Sequence, residues 1–197
     1  KARRTEDGRW VVWADAGGSI GWQLAGQAPR RRAGWGKVPM AGWDPAAGWD
    51  GEVPYSEMPY VKDPAEGFVA SANNKPAADG SGPFLGTDSF EGFRMERICE
   101  ALRAGSAWDV AKTMRLQLDQ ESMPWRELRE TVLAAAPTDP RTPRALALLR
   151  TWDGRVAADS TGASVFEFFL AEMLRRVVGA KAPKSASWAL GKGAGPF

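Results

Sequence analysis

The sequence predicts an α+β chain, with a β-rich first half and a helical second half. Three observations carry this. Apolar residues alternate with small or polar ones after Trp10, glycine and proline crowd towards the first half, and from about residue 88 apolar residues recur three and four positions apart. We expect residues 1–80 to form a sheet and loop region and residues 81–197 a helical region of the same domain. A chain of 197 residues is long enough to bury a core, since chains of this size bury roughly 70% of the surface exposed when unfolded.

Trp10-Val11-Val12-Trp13, the turn Asp15-Ala16-Gly17-Gly18, and then Ile20, Trp22 and Leu24 at alternate positions predict a hairpin. Two further apolar pieces, 53–60 and 67–72, are separated by Lys62-Asp63-Pro64-Ala65-Glu66-Gly67, a turn with proline early and glycine at its end. The segment 36–49, rich in Gly, Pro and Trp, reads as an ordered loop, because flexible linkers rarely carry tryptophan.

Met95, Ile98, Cys99 and Leu102 fall at helical spacing, and the pattern stops at Gly105. A second helix is expected from Ser106, whose hydroxyl can cap it with Asp109 in the first turn, to about Leu118. A third spans about 124–135 and a fourth about 143–152. The fifth, 162–178, carries Phe166, Phe169, Leu170, Met173 and Val177 on one face and reads as core. The tail from Ala182, including Gly191-Lys192-Gly193-Ala194-Gly195, reads as loop; no helix follows that glycine run, so it is no phosphate loop.

Composition excludes several chemistries. With no histidine, the imidazole base of Ser-His and Cys-His triads is unavailable, so any catalysis uses another base. Cys99 is the single cysteine and sits in a helical stretch, which suits a buried small hydrophobe better than a nucleophile. A net charge of +2, with the short basic runs 1–4 and 30–32, gives no nucleic-acid footprint. No apolar run reaches the roughly 18 to 20 residues needed to span a bilayer. Nor does a signal segment open the chain, and Lys1 reads as a cut end within a longer protein.

Asn73 and Asn74, the only asparagines, stand side by side in Ser71-Ala72-Asn73-Asn74-Lys75-Pro76. Two readings are open. Asx side chains bond their own backbone in strand-ending turns, and a carboxamide NH2 fixed at a strand end can also donate to a developing oxyanion.

At this point the chain resembles the penicillin acylase group of N-terminal nucleophile hydrolases. Ala14-Asp15-Ala16-Gly17-Gly18-Ser19-Ile20-Gly21-Trp22 is similar to that family's Ala-Asp-x-x-Gly-Asn-Ile-Gly-Tyr hairpin, with Ser19 and Trp22 as departures. Gly26-Gln27-Ala28-Pro29-Arg30, Trp49-Asp50-Gly51, Pro54-Tyr55-Ser56-Glu57-Met58-Pro59 and Asp63-Pro64-Ala65-Glu66-Gly67-Phe68 resemble elements that lead in the family to an Asn-Asn-x-Pro. Phe93-Arg94-Met95-Glu96-Arg97-Ile98, Gln117-Leu118-Asp119-Gln120-Glu121-Ser122 and Trp152-Asp153-Gly154 continue the series in the family's order.

The resemblance implies an αββα sandwich in the complete enzyme and hydrolysis of N-acyl amides by an N-terminal serine that lies upstream and is absent here. The serine's own α-amine, of unperturbed pKa roughly 7.7 to 8.0, serves as base. Carried over by position, Asn73 corresponds to the oxyanion donor and Arg94 to an arginine that orders the nucleophile region; on spacing alone Arg94 reads as an exposed helix arginine, and the resemblance sets the two readings level. The resemblance further implies partners from the same precursor, namely the rest of the β subunit and an α subunit, with secretion or a periplasmic location. No cofactor is required. Some relatives hold one structural calcium, for which Asp79 and Asp88 lie in the corresponding loop without an assignment. A segment cut from such a sandwich is expected to fold poorly and self-associate. The rival reading is a non-catalytic module whose tryptophans bind sugar or a partner protein.

Overall fold

In a computed structural model, residues 10–36, 39–87, 89–137 and 139–189 are described. The chain divides into two compact units, one ending at Trp108 and the other beginning at Asp109. Strands and helices are both present, as an α+β chain requires.

In the first unit β1 (Trp10–Ala14) and β2 (Ile20–Leu24) form the expected hairpin, with Val12 opposite Trp22 and Ala14 opposite Ile20. Asp15 closes the turn through its carboxylate, which accepts from the Gly17 and Ser19 amides. On the other side of β2 lies β5 (Tyr60–Lys62), giving the order β1-β2-β5. Gly21 is required there, because a Cβ would stand 2.6 Å from the Trp13 ring and from the Val61 carbonyl.

Two expectations change in this unit. Of the apolar pieces 53–60 and 67–72 only Tyr60, the first residue of β5, lies in a strand: Pro54 leads into a 3-10 turn at Tyr55–Glu57, and pairing begins only after Pro59. Proline has no amide hydrogen for a ladder. Residues 67–72 make no strand, although Ala72 is buried. Conversely, β3 (Pro29–Arg31) and β4 (Trp49–Glu52) form a separate two-stranded sheet flanking the ordered loop. Leu24, Val53 and Met58 make the buried cluster of this unit, with Trp22, Ala28 and Leu85 packed against it. Helix α1 (Phe93–Ala104) ends at Gly105 as expected and buries Cys99.

The second unit holds α2 (Val110–Gln117), α3 (Met123–Leu133), α4 (Thr142–Arg150), α5 (Thr161–Lys181) and α6 (Ala186–Ala189). Asp109, not Ser106, caps α2: its side chain accepts from the Lys112 amide at 2.7 Å. The carboxylate lies three residues from that amide, the reach of an N-cap, whereas Ser106 is one turn too early. Ser122 and Ser160 cap α3 and α5 in the same way.

Trp125, Val132, Leu149, Trp152, Ala163 and Phe166 form the core of this unit. The ring of Phe166, 0% exposed, meets Trp125 edge-on at 5.0 Å and Trp152 at 5.5 Å. Gly162 has to lack a side chain, since a Cβ would sit 2.5 Å from Trp152 Cγ. The Asp119–Ser122 and Trp152–Gly154 stretches meet here: Ser122 donates its amide to the Gly154 carbonyl, Val156 to that of Gln120, and the Trp152 indole to that of Arg155. Those motifs therefore hold the fold.

The face of α5 is core only in part. Phe166 and Leu170 join the cluster, whereas Phe169, Met173 and Val177 are exposed, because the cluster reaches only the first half of a 21-residue helix. The tail carries the short α6 where loop was expected, and the glycine run 191–195 lies outside the described residues. No described helix is long and apolar enough to cross a membrane.

Candidate functional site

Asn73 follows buried Ala72 and adopts φ +59°, the left-handed region that asparagine tolerates better than most residues. Its carbonyl accepts from the Phe90 amide at 2.9 Å, and Asn74 forms an isolated parallel bridge with Phe90. The backbone around Asn73 is thus clamped from the segment that leads into α1.

The two asparagines do different things. Asn74 turns its carboxamide on its own loop, accepting from the Ala72 amide and donating to the Lys75 carbonyl, both at 3.1 Å. The Asx-turn reading fits Asn74. The side chain of Asn73 makes one hydrogen bond among the described residues: Oδ1 accepts from Arg94 Nη2 at 2.9 Å. A guanidinium has no acceptor. Arg94 therefore takes the oxygen of the carboxamide and leaves Nδ2 directed elsewhere, without a partner among the described residues.

Arg94 is itself fixed. The same Nη2 donates to the Ala72 carbonyl at 2.9 Å, and the guanidinium lies over the Phe90 ring, 5.6 Å from its centroid. It occupies the first turn of α1, where a cation opposes the helix dipole. Helix stability does not explain the placement; its contacts to residues 72 and 73 do. Arg97, one turn on, pairs with Glu100 at 3.8 Å. Phe90 is the partner the sequence did not disclose, because its role depends on a loop bringing it beside Asn73.

Asn73 and Asn74 open on a cleft of about 380 Å³ whose other walls include Leu24, Met58, Leu85 and Phe90. A carboxamide whose NH2 end has no partner among the described residues can donate to an oxygen that gains charge. Cys99 is not a competing nucleophile: burial pushes its thiol up, outweighing the lowering by Arg103.

The calcium expectation finds no donor set here. Asp79 is ion-paired with Lys75, Asp88 lies outside the described residues, and among the described residues no three acidic, cysteine or histidine side chains cluster for a metal.

The penicillin amidase family model matches residues 7–193. Acyl-homoserine lactone acylase QuiP of Pseudomonas syringae pv. syringae (strain B728a) is 32% identical over 181 residues, which is 85% of this chain and 22% of that protein. Penicillin acylase 2 proenzyme of Pseudomonas sp. (strain SE83) is 31% identical over 185 residues, again 85% of this chain and 22% of the relative. Among solved structures, a thermostable penicillin G acylase from Alcaligenes faecalis superposes with a TM-score of 0.66 at 24% identity, covering 88% of this chain and 33% of that one. The last likeness bears on the fold. This chain spans about a fifth of the length of the curated relatives it matches, 22% in each of these two.

Proposed function

Since this chain belongs to the penicillin amidase family, we propose that it is an internal segment of the nucleophile-bearing subunit of an N-acyl amide hydrolase and that Asn73 supplies an oxyanion donor to its active site. The contact between Arg94 Nη2 and Asn73 Oδ1 supports this reading, because it occupies the oxygen end of the amide and leaves the NH2 end of a residue that lines the cleft to donate.

The nucleophile in this scheme is a serine at the N-terminus of the complete subunit, upstream of these residues. Its Oγ bonds to the acyl carbon while the α-amine takes the hydroxyl proton, and the carbonyl oxygen becomes an oxyanion. Asn73 Nδ2 donates to that oxygen as charge develops. Collapse expels the amine, which regains the proton, and water then releases the acyl group by the reverse proton path. Arg94 is a positioning residue that holds the carboxamide in register, while Met58 and Leu85 contribute apolar wall near the acyl group.

In the complete protein the β-rich 1–80 and helical 81–197 regions belong to one αββα core. The rest of the β subunit and an α subunit from the same precursor complete it, in a secreted or periplasmic enzyme. The segment alone is inactive, since it holds no such serine. A tryptophan-rich binding module has less support, because the relatives are named as acylases. Mass spectrometry of the complete protein after incubation with an N-acyl amide and acid quench tests the scheme. An acyl adduct on an N-terminal serine is the expected result, and saturable binding with neither adduct nor hydrolysis would place the protein with binding modules.

A further inference from the structure

Arg94 reaches Asn73 through a single nitrogen. Nη2 donates to the Ala72 carbonyl and to Asn73 Oδ1, 2.9 Å from each, and no other nitrogen of that guanidinium has a hydrogen-bond or ion-pair partner among the described residues. Two acceptors on one nitrogen fix the position of that atom and leave the guanidinium plane free to swing about it. A swing redirects the Nη2 hydrogens and weakens the bond to the carboxamide, since hydrogen bonds lose strength steeply as they bend.

The ring of Phe90 restrains that plane, with the guanidinium carbon of Arg94 5.6 Å from its centroid. The negative face of an aromatic ring attracts a cation placed over it. Phe90 also holds Asn73 from the other end: its amide donates to the Asn73 carbonyl at 2.9 Å, and it forms a parallel bridge with Asn74. It stands outside α1, which begins at Phe93, so helical geometry does not impose the contact with Arg94. A closed circuit results, running from the Phe90 backbone to that of Asn73, from the Asn73 carboxamide to Arg94, and from the Arg94 guanidinium back to the Phe90 ring.

We propose that Phe90 is a positioning residue for the oxyanion donor, acting through the face of its ring on Arg94 and through Arg94 on Asn73. This rests on the oxyanion role proposed for Asn73. The backbone half of the circuit is open to any residue with an amide hydrogen, whereas the ring half requires an aromatic face.

Steady-state hydrolysis of an N-acyl amide by the complete protein tests this with variants that leave the backbone amide of Phe90 in place. Phe90→Leu keeps an apolar side chain without a ring and lowers kcat by about 2- to 10-fold, with KM changed less, whereas Phe90→Trp retains more turnover than Phe90→Leu. Mono-, di- and trifluorinated phenylalanine in place of Phe90 keep the shape of the ring while drawing electrons from its face, so kcat falls stepwise along the series. That series also decides the matter where Phe90→Leu fails to fold. In Asn73→Ala protein, Phe90→Leu brings no further loss, because the group it positions is gone. A kcat indifferent to fluorination, a change confined to KM as for a wall of the cleft, or an independent loss from Phe90→Leu on top of Asn73→Ala would overturn the role of Phe90 and leave that of Asn73 in place. Wild-type turnover in Asn73→Ala protein would overturn both.

Discussion

Arg94 Nη2 bridges the Ala72 carbonyl and Asn73 Oδ1, 2.9 Å from each, so one nitrogen sets both the path of the backbone before Asn73 and the orientation of its carboxamide. Without this donor, an exposed asparagine is free to present either end of its amide. The left-handed φ of +59° at Asn73 is held by the same arrangement, together with the Phe90 amide on the Asn73 carbonyl. Positive φ at a residue other than glycine persists where its surroundings over-determine it, and such positions gather at functional sites.

Arg94→Gln keeps a donor but shortens the reach, and in the complete protein it is expected to lower kcat by up to about 100-fold, the cost of misplacing a reacting group by about 1 Å. Its KM should change less. The distinguishing readout is coupling: if Arg94 acts through Asn73, the Arg94→Gln, Asn73→Ala pair loses little more than Asn73→Ala alone. Additive losses would place Arg94 in an independent role.

Asn74→Ala removes two hydrogen bonds between its side chain and the loop backbone. It is expected to cost stability of about 1 to 3 kcal/mol while correctly processed enzyme keeps most of its turnover. Chemical denaturation alongside steady-state kinetics separates the two quantities, and a fall in kcat as large as that of Asn73→Ala would remove the distinction between the asparagines.

Phe166 is fully buried between two tryptophan rings. Phe166→Ala should destabilise the helical unit by about 3 to 5 kcal/mol, whereas Phe168→Ala, on the exposed side of α5, should stay within about 0.5 kcal/mol. Urea midpoints for the two variants in the complete protein check this. Similar shifts would contradict the assigned core.

The raised Cys99 pKa and its burial predict slow chemistry. At neutral pH less thiolate is present than in a free cysteine, and labelling by a disulfide reagent should proceed many-fold more slowly in native protein than in denatured protein. Labelling should accelerate as pH rises towards the raised pKa. Equal rates in native and unfolded chain would show that the thiol is accessible.

Some of this was legible in the sequence and some was not, for physical reasons. The β1–β2 hairpin and the helices of the second unit follow from local periods, whereas the caps at Ser122 and Ser160 emerge only in the structure. The β3–β4 pair was not, because Pro29-Arg30-Arg31 has no strand-like alternation and its partner lies across the loop that follows it. Local pattern also overstated the core face of α5, where periodicity marks a stripe without saying how far its neighbours extend. As for the site, Asn73 and Arg94 were reached through the family resemblance. Their contact, and the part of Phe90 in it, depend on chain segments some twenty residues apart meeting in space.

The most direct test is the turnover of Asn73→Ala in the complete protein, measured on material shown to be folded and to have exposed the proposed N-terminal serine. An amide that donates only as charge develops affects kcat more than substrate affinity, and its loss should lower kcat by roughly 100- to 1,000-fold, about 2.7 to 4 kcal/mol. Hydrolysis of an N-acyl amide within about threefold of wild type, a barrier change of about 0.65 kcal/mol, would contradict the oxyanion role of Asn73.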